Sequence, residues 1–408
     1  MNDADGAAPS RAPLRVLRIL TRPNLGGPTR QAIALWHALT EQSVATLLVT
    51  GAVGAGETLL SPAEHGVPVI GWDEALRAGR DAVGWLQLPE LGRRLAPWAD
   101  LRAMRALRTL LRSHVPDVVH THTSKAGWLG RRAARVVPGV RLVHTFHGHV
   151  LQDYFPAPFG WLLARLERRL ARRTDVLCAV SDSCADELAA AGVAPRARFV
   201  VVPPAVAVPP GLAREQARVV LGIPADQLRV VCAGRLVPIK RVGDFVAAVA
   251  QVEGLYGDVV GDGPEHAVLA RAAASAQGRV RLWPGRPGLP SELSAYDALV
   301  LPSVREGLPL VAVEAFAAGV PVVGYDVPGV RDAVRLGGGT LVPAAAGPAG
   351  LAAALRQLLA SQQLRAQAVA AGRAALARFA PAAVAAELDA LYRVGCSAGG
   401  SCRDEPRD

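Results

Sequence analysis

Short apolar runs alternate with amphipathic helical stretches along this chain, and the alternation occurs twice, on either side of a segment holding the proline pairs Pro203-Pro204 and Pro209-Pro210. In the first half the runs at residues 14–20, 45–50, 118–120, 141–145 and 176–180 read as strands. Stretches at 30–39, 101–112, 125–136, 159–173 and 184–191 carry apolar residues at helical spacing. Beyond the prolines the cadence restarts, with strands at 229–233, 258–261, 280–282, 299–302 and 320–324 and helices at 242–249, 265–274 and 311–318. Strands joined by crossover helices lie parallel, so each half predicts a doubly wound, Rossmann-like α/β domain. Paired prolines suit neither helix nor central strand, which puts a hinge at 200–211. The expected division is an N-terminal domain over 1–205, a C-terminal domain over 206–380, a helix at about 381–394 packing back on the first domain, and a flexible tail over 395–408. Two such domains facing one another leave a central cleft at the carboxyl ends of both sheets, where open α/β sheets bind ligands. No repeat of fixed period points to a solenoid.

The 408 residues suit two domains at roughly 150 residues each. Hydrophobic residues make up 51% and charged residues 20%, which excludes a disordered chain. Five cysteines without a CxxC pair argue against a disulfide framework and a structural zinc site, and fit a reducing cytoplasm. No run of about 18 apolar residues is free of charge, and residues 1–13 lack the apolar core of a secretory signal, so neither export nor membrane spanning is expected. The formal net charge of +10 raises nucleic acid, anionic lipid and phosphorylated small molecules as partners. Sparse aromatics and dispersed arginines speak against nucleic acid.

Chemistry concentrates in a few stretches. After the strand ending near Pro302 comes Ser303-Val304-Arg305-Glu306-Gly307-Leu308-Pro309-Leu310, with Glu314 about one turn further on. Pro309 suits the first turn of a helix, which would leave the amides of Gly307 to Leu310 free as an anion seat. Two carboxylates beside such a seat suit recognition of sugar or ribose hydroxyls, against the plainer reading of surface glutamates on a solvated helix. In Gly234-Arg235-Leu236-Val237-Pro238-Ile239-Lys240 two cations follow a strand end and could neutralise a diphosphate. Taken alone, such a pair is ordinarily solvated. Gly26-Gly27 allows a tight turn between strand and helix. His120, His122, His144, His147 and His149 cluster at two strand ends. Alternate strand residues face opposite sides, so a zinc cage is the weaker reading and a substrate-facing histidine the stronger.

Taken in order, the Gly26-Gly27 turn, the His144-Thr145-Phe146-His147-Gly148 stretch, Gly234-Arg235 with Lys240, Gly261-Asp262-Gly263-Pro264, and Ser303 through Glu306 to Glu314 resemble the motifs of glycosyltransferase family 4, the glycogen- and sucrose-synthase-like group 1 transferases. The likeness runs from about residue 14 to 391. It implies a retaining enzyme of the GT-B fold. Carried over by position, it gives Arg235 and Lys240 the donor diphosphate, Glu314 the donor ribose, and Glu306 the transferred sugar. Gly307, Leu308, Pro309 and Leu310 would face the phosphate or sugar, Gly27 the phosphate and acceptor, His147 the outer hydroxyls of the sugar, and Gly285 and Arg286 the base. Glu306, His147, Arg235 and Lys240 are then the catalytic candidates.

The implied donor is UDP- or GDP-linked, with no metal or other cofactor; the one Asp-x-Asp, Asp3-Ala4-Asp5, lies in the leader. The implied acceptor is a small molecule or a lipid-linked saccharide, in cell-surface polysaccharide, glycolipid or secondary-metabolite synthesis. Basic amphipathic stretches at 93–112 and 159–173 leave peripheral contact with the inner face of the cell membrane open, beside their plainer reading as packed helices. No nucleic-acid partner is expected. The alternative of another class is a nonenzymatic binder of nucleotide sugars or nucleic acid.

Overall fold

The structure is a computed structural model that describes residues 13–54, 58–92, 96–148 and 157–394. The strands are β1 (Leu14–Leu20), β2 (Val44–Thr50), β3 (Gly84–Gln87), β4 (Val118–His122), β5 (Arg141–Phe146), β6 (Val176–Ala179), β7 (Phe199–Val201), β8 (Leu228–Ala233), β9 (Leu255–Val260), β10 (Val280–Trp283), β11 (Ala298–Leu301), β12 (Val322–Tyr325) and β13 (Thr340–Val342). The α-helices are α1 (Gly27–Glu41), α2 (Trp72–Ala78), α3 (Pro97–His114), α4 (Ser124–Ala133), α5 (Ala157–Ala171), α6 (Asp182–Ala190), α7 (Arg214–Leu221), α8 (Val242–Ala250), α9 (His266–Ser275), α10 (Leu289–Glu292), α11 (Leu310–Ala317), α12 (Val330–Gly337), α13 (Gly347–Ala360), α14 (Gln362–Ala375) and α15 (Pro381–Arg393). The chain divides into two compact units. The first comprises the described residues up to 179, 188–205 and those from 381 on; the second comprises 180–187 and 206–380.

The first unit holds a parallel sheet in the order β3-β2-β1-β4-β5-β6-β7. Successive side chains leave a strand on opposite faces, and β1 shows the result. Leu17 and Ile19 join Leu47, Val49 and Val119 in a core with Leu107, Leu111 and Leu129 of α3 and α4. Val16 joins Val44, Val118 and Val143 in a second core with Leu35 and Leu39 of α1 and Val384, Leu388 and Tyr392 of α15. Both faces are therefore covered, and each leucine or valine so removed from water contributes about 1.5–3 kcal/mol.

The second unit repeats the plan with a parallel sheet in the order β10-β9-β8-β11-β12-β13. Val230, Val231, Leu299, Val300, Val322 and Val323 are all fully buried in its middle strands. A buried ionic cluster ties its first strands together: Arg229 pairs with Asp258, and Arg281 reaches the same carboxylate with contacts of 2.9 and 2.8 Å. Tyr296 donates to Asp258 Oδ2 at 2.9 Å.

Several expectations change. Between the strand at 45–50 and the stretch at 93–112, where the alternation assigns no element, lie α2 and the edge strand β3, which pairs with β2. The hinge at 200–211 begins inside structure: β7 runs to Val201, and Val202, Ala205 and Val206 are buried. Residues 180–187, assigned by sequence to the first domain, group with the second unit. The elements α7, α12, α14 and β13 have no counterpart among the segments assigned from the sequence. Cys178, Cys184 and Cys232 are buried. No single described helix is long and apolar enough to cross a membrane. The tail from 395, with Cys396 and Cys402, the leader with Asp3 and Asp5, His149, and the segment 152–156 lie outside the described residues.

Candidate active site

Both sheets reverse strand order beside their first strand, in β2-β1-β4 and in β9-β8-β11. Ligands of open α/β sheets bind at the carboxyl ends of strands at such points. In the second unit, the loops after β8 and β11 carry most of the residues singled out by sequence.

Glycine makes the loop after β8 possible. Gly261 (φ +153°) and Gly263 (φ +159°) lie in a region that side chains rarely adopt. A Cβ on Gly261 would sit 1.9 Å from the carbonyl oxygen of Gly234, and one on Gly263 2.3 Å from that of Leu236. The loops after β8 and β9 thus run backbone against backbone, with Leu236 N–H donating to Asp262 O at 2.8 Å. The chain then turns through Pro238 to Lys240, whose Nζ is 3.8 Å from where a Cβ on Gly234 would be.

Here Lys240 Nζ donates to Glu306 Oε1, and Ser303 Oγ donates to the same oxygen at 2.6 Å. Glu306 Oε2 has no hydrogen-bond partner among the described residues. Val304 N–H donates to Ile239 O at 2.8 Å and Glu306 N–H to Pro328 O at 3.0 Å. The strand-end loop carrying Glu306 is therefore held to the turn carrying Lys240 on one side and to the chain before α12 on the other. Gly329 (φ +80°) closes that second contact, because its Cβ would lie 2.4 Å from Glu306 O. Beneath them, burial pushes the Cys232 thiol up to about 12, so it stays protonated and inert.

Arg235 is exposed on the same loop as Lys240, and its guanidinium has no ion pair among the described residues. Glu314 is 2% exposed on α11. Pro309 is the residue before α11, not in its first turn as expected; its ψ of 113° is outside the helical range. Leu310 and Val311 consequently open the helix with amides that have no intrahelical acceptor. Leu308 and Pro309 are buried, and the Gly307 carbonyl accepts from Ser181 Oγ at 2.8 Å. Gly285 N–H donates to Asp262 Oδ2 at 2.9 Å. Arg286 is held by Glu292, with Nη2 donating to Oε1 at 2.7 Å, and this pairing raises its pKa further.

In the first unit, Gly26 is the extended residue before α1 and Gly27 its first residue, followed by Pro28 in the first turn. His120 and His122, two apart on β4, share a face with ring centroids 4.2 Å apart. His120 Nδ1 bonds to Tyr392 Oη at 2.6 Å and Nε2 to Thr145 Oγ1 at 2.7 Å. His144 Nδ1 lies 2.8 Å from Thr121 Oγ1. His122 Nδ1 bonds to His147 Nε2 at 3.0 Å, and its Nε2 meets Arg18 Nη2 at 3.2 Å. Burial, with the charge of Arg18 second, draws His147 down to about 3. Burial also depresses His120, His122 and His144, so the cluster is neutral at ordinary pH.

The structure thus brings Lys240 and Glu306 into contact within the second unit, and it gives His147 and Gly27 to the first. Sequence reasoning passed over Ser303, Arg18 and the bonding role of His122. Arg18 carried a usable signal, a charge inside an apolar run that can only be a central strand. Ser303 carried none.

A sequence model of Glycosyltransferase Family 4 matches residues 25–208, and one of Glycosyl transferases group 1 matches residues 227–361. The 2-deoxystreptamine N-acetyl-D-glucosaminyltransferase of Streptomyces fradiae is 31% identical over 359 residues, which is 81% of each chain. The UDP-Gal:alpha-D-GlcNAc-diphosphoundecaprenol alpha-1,3-galactosyltransferase of Escherichia coli is 30% identical over 61% of this chain and 68% of its own. Among solved structures, sucrose-phosphate synthase from Thermosynechococcus elongatus superposes with a TM-score of 0.74 at 20% identity, covering 93% of this chain and 98% of that one.

Proposed function

We propose that this chain, which belongs to glycosyltransferase family 4 and has the GT-B fold, moves a hexosyl or N-acetylhexosaminyl group from a UDP- or GDP-sugar to an acceptor hydroxyl with the anomeric configuration retained. Glycosyl transfer follows from the family. The finer assignment is carried by one observation: Lys240 and Ser303 converge on a single oxygen of Glu306 at the strand-order reversal of the second unit. A lysine and a carboxylate paired at a ligand-binding strand end, with an unpaired Arg235 on the same loop, suit a donor whose phosphates take the cations and whose sugar takes the carboxylate.

In this reading Arg235 and Lys240 hold the diphosphate and stabilise the charge that develops as it leaves. Glu306 accepts a hydroxyl of the transferred sugar through Oε2, and Glu314 accepts the ribose hydroxyls. The amides from Gly307 to Leu310, Pro309 excepted, face phosphate or sugar, while Gly285 and Arg286 meet the base through backbone atoms. Gly27 approaches phosphate and acceptor, and His147 takes the outer hydroxyls of the sugar. The bond from the anomeric carbon to the diphosphate oxygen breaks, and the acceptor oxygen bonds to that carbon on the same face. The acceptor proton passes to the departing phosphate, so no protein nucleophile is assigned. The fixed cations do the work of a divalent metal, and EDTA should leave the rate unchanged.

The acceptor is a polyhydroxylated small molecule or a lipid-linked saccharide in cytoplasmic biosynthesis of a secondary metabolite or a cell-surface glycan. For a lipid acceptor the contact would be α5, where Trp161 is 63% exposed and Arg165 lies 5.4 Å from its ring. Sedimentation with anionic vesicles separates the two; absence of binding at low salt removes the lipid acceptor. The donor assignment is tested by slow hydrolysis of UDP- and GDP-sugars, with the anomer released read by NMR. The double change Arg235→Ala with Lys240→Ala should weaken nucleoside diphosphate binding by about 10²-fold, since charge-assisted hydrogen bonds contribute about 1.5–3 kcal/mol each. Equal loss for the nucleoside alone would overturn the diphosphate assignment.

A further inference from the structure

Arg18 lies on β1, an inner strand of the first unit's sheet, and is fully buried. Among the described residues it has no carboxylate partner, and its Nε and Nη1 are buried without hydrogen bonds. Among the described residues its one hydrogen bond is from Nη2 to His122 Nε2 at 3.2 Å. An unpaired buried charge is expensive to keep, so what it touches matters.

A guanidinium only donates, hence His122 Nε2 must accept. A neutral imidazole that accepts at Nε2 carries its proton on Nδ1. His122 Nδ1 faces His147 Nε2 at 3.0 Å and so donates to it. His147 Nε2 is thereby an acceptor, and its own proton is on Nδ1. The groups packed around this chain do not undo the assignment: His120 from β4 is engaged by Tyr392 of α15 and Thr145 of β5, and His144 of β5 by Thr121. His147, half-buried just beyond β5, is where the chain of contacts reaches solvent, and its Nδ1 has no hydrogen-bond partner among the described residues.

We propose that Arg18, acting through His122, is a positioning residue that locks His147 in the Nδ1–H tautomer, so that His147 presents a hydrogen-bond donor to a hydroxyl of the transferred sugar. The last clause rests on the reading of His147 given above; the tautomer does not. The charge of Arg18 also disfavours protonation of His122 and His147, which keeps the presented group a neutral N–H donor. No proton is transferred along the chain.

The test uses the full chain labelled with ¹⁵N-histidine and reads long-range proton–nitrogen correlations at pH 7, with the His147 signals assigned by their loss in His147→Ala. The expected wild-type pattern is a protonated Nδ1 and a bare Nε2. His122 is varied because loss of Arg18 can prevent folding. In His122→Asn the side-chain amide can still donate to His147 Nε2, so the tautomer should persist. In His122→Asp the carboxylate accepts instead and should move the proton of His147 to Nε2, with donor-sugar turnover at least tenfold lower than in His122→Asn. A wild-type His147 that carries its proton on Nε2, or on both nitrogens, overturns the proposal, as does a tautomer unmoved by His122→Asp. If the tautomer behaves as expected and His147→Ala keeps full turnover, the relay stands and the sugar-facing reading of His147 falls.

Discussion

The two units share a strand order and differ in how they hold polar groups at its reversal. In the second unit the arginines on β8 and β10 and the lysine of the strand-end loop meet carboxylates: Arg229 and Arg281 meet Asp258, and Lys240 meets Glu306. In the first, Arg18 meets only an imidazole among the described residues, and four neutral histidines fill the carboxyl ends of β4 and β5 and the turn after β5. Topology alone therefore does not set the chemistry of a switch point. One unit presents fixed charges suited to a charged ligand, and the other presents oriented neutral dipoles suited to hydroxyl groups.

The largest effect that could break this contrast comes from Glu306→Gln. The amide keeps the size of the side chain and can still accept from Ser303, but it removes the charge paired with Lys240. Turnover should fall by about 10²–10³-fold, the scale for losing one preorganised electrostatic contact, while UDP or GDP binding changes little. Turnover within tenfold of wild type would mean that the paired charge is architectural. A smaller effect tests the frame beneath it. In Gly261→Ala the new methyl meets the Gly234 carbonyl at 1.9 Å at a φ of +153°, so stability of the second unit should drop by about 3 kcal/mol. Thermal unfolding followed by the fluorescence of Trp283, the one tryptophan of that unit, would show a lowered Tm. An unchanged Tm would mean that the two loops are free to separate.

The parallel α/β plan and the two strand-end loops were legible because they depend on periodicity and on glycine, which are local properties of sequence. Lys240 and Glu306 were legible as candidates, yet nothing local foretold that Lys240 would fold back over Gly234 to meet Glu306, 66 positions away. The edge strand β3 was missed because four residues, Gly84–Gln87, are too few to show alternation. Pro309 was placed one position too deep, since a proline suits both the residue before a helix and its first turn. The histidines were visible as a cluster, but their bonding depends on Arg18, which is more than a hundred residues from His122 in sequence and adjacent only across the β1–β4 pairing.

The smallest effect expected is also the sharpest test of the contrast, because it should separate the units. His147 titrates near 3 in the folded chain and near 6.5 when unfolded, so between these values the unfolded form binds the extra proton. Its contribution is complete above about pH 6.5 and is lost as pH falls, by about 1–2 kcal/mol between pH 7 and 5. His114, His120, His122 and His144 shift in the same direction, all in the first unit. The second unit has one histidine, His266, exposed on α9. Hydrogen exchange, corrected for intrinsic rates and read peptide by peptide, should show β4 and β5 losing at least tenfold in protection at pH 5 while β8 and β11 keep theirs. Equal loss in both sheets would mean that acid acts through charges common to the whole chain, and the distinction between a neutral and an ionic switch point would fail.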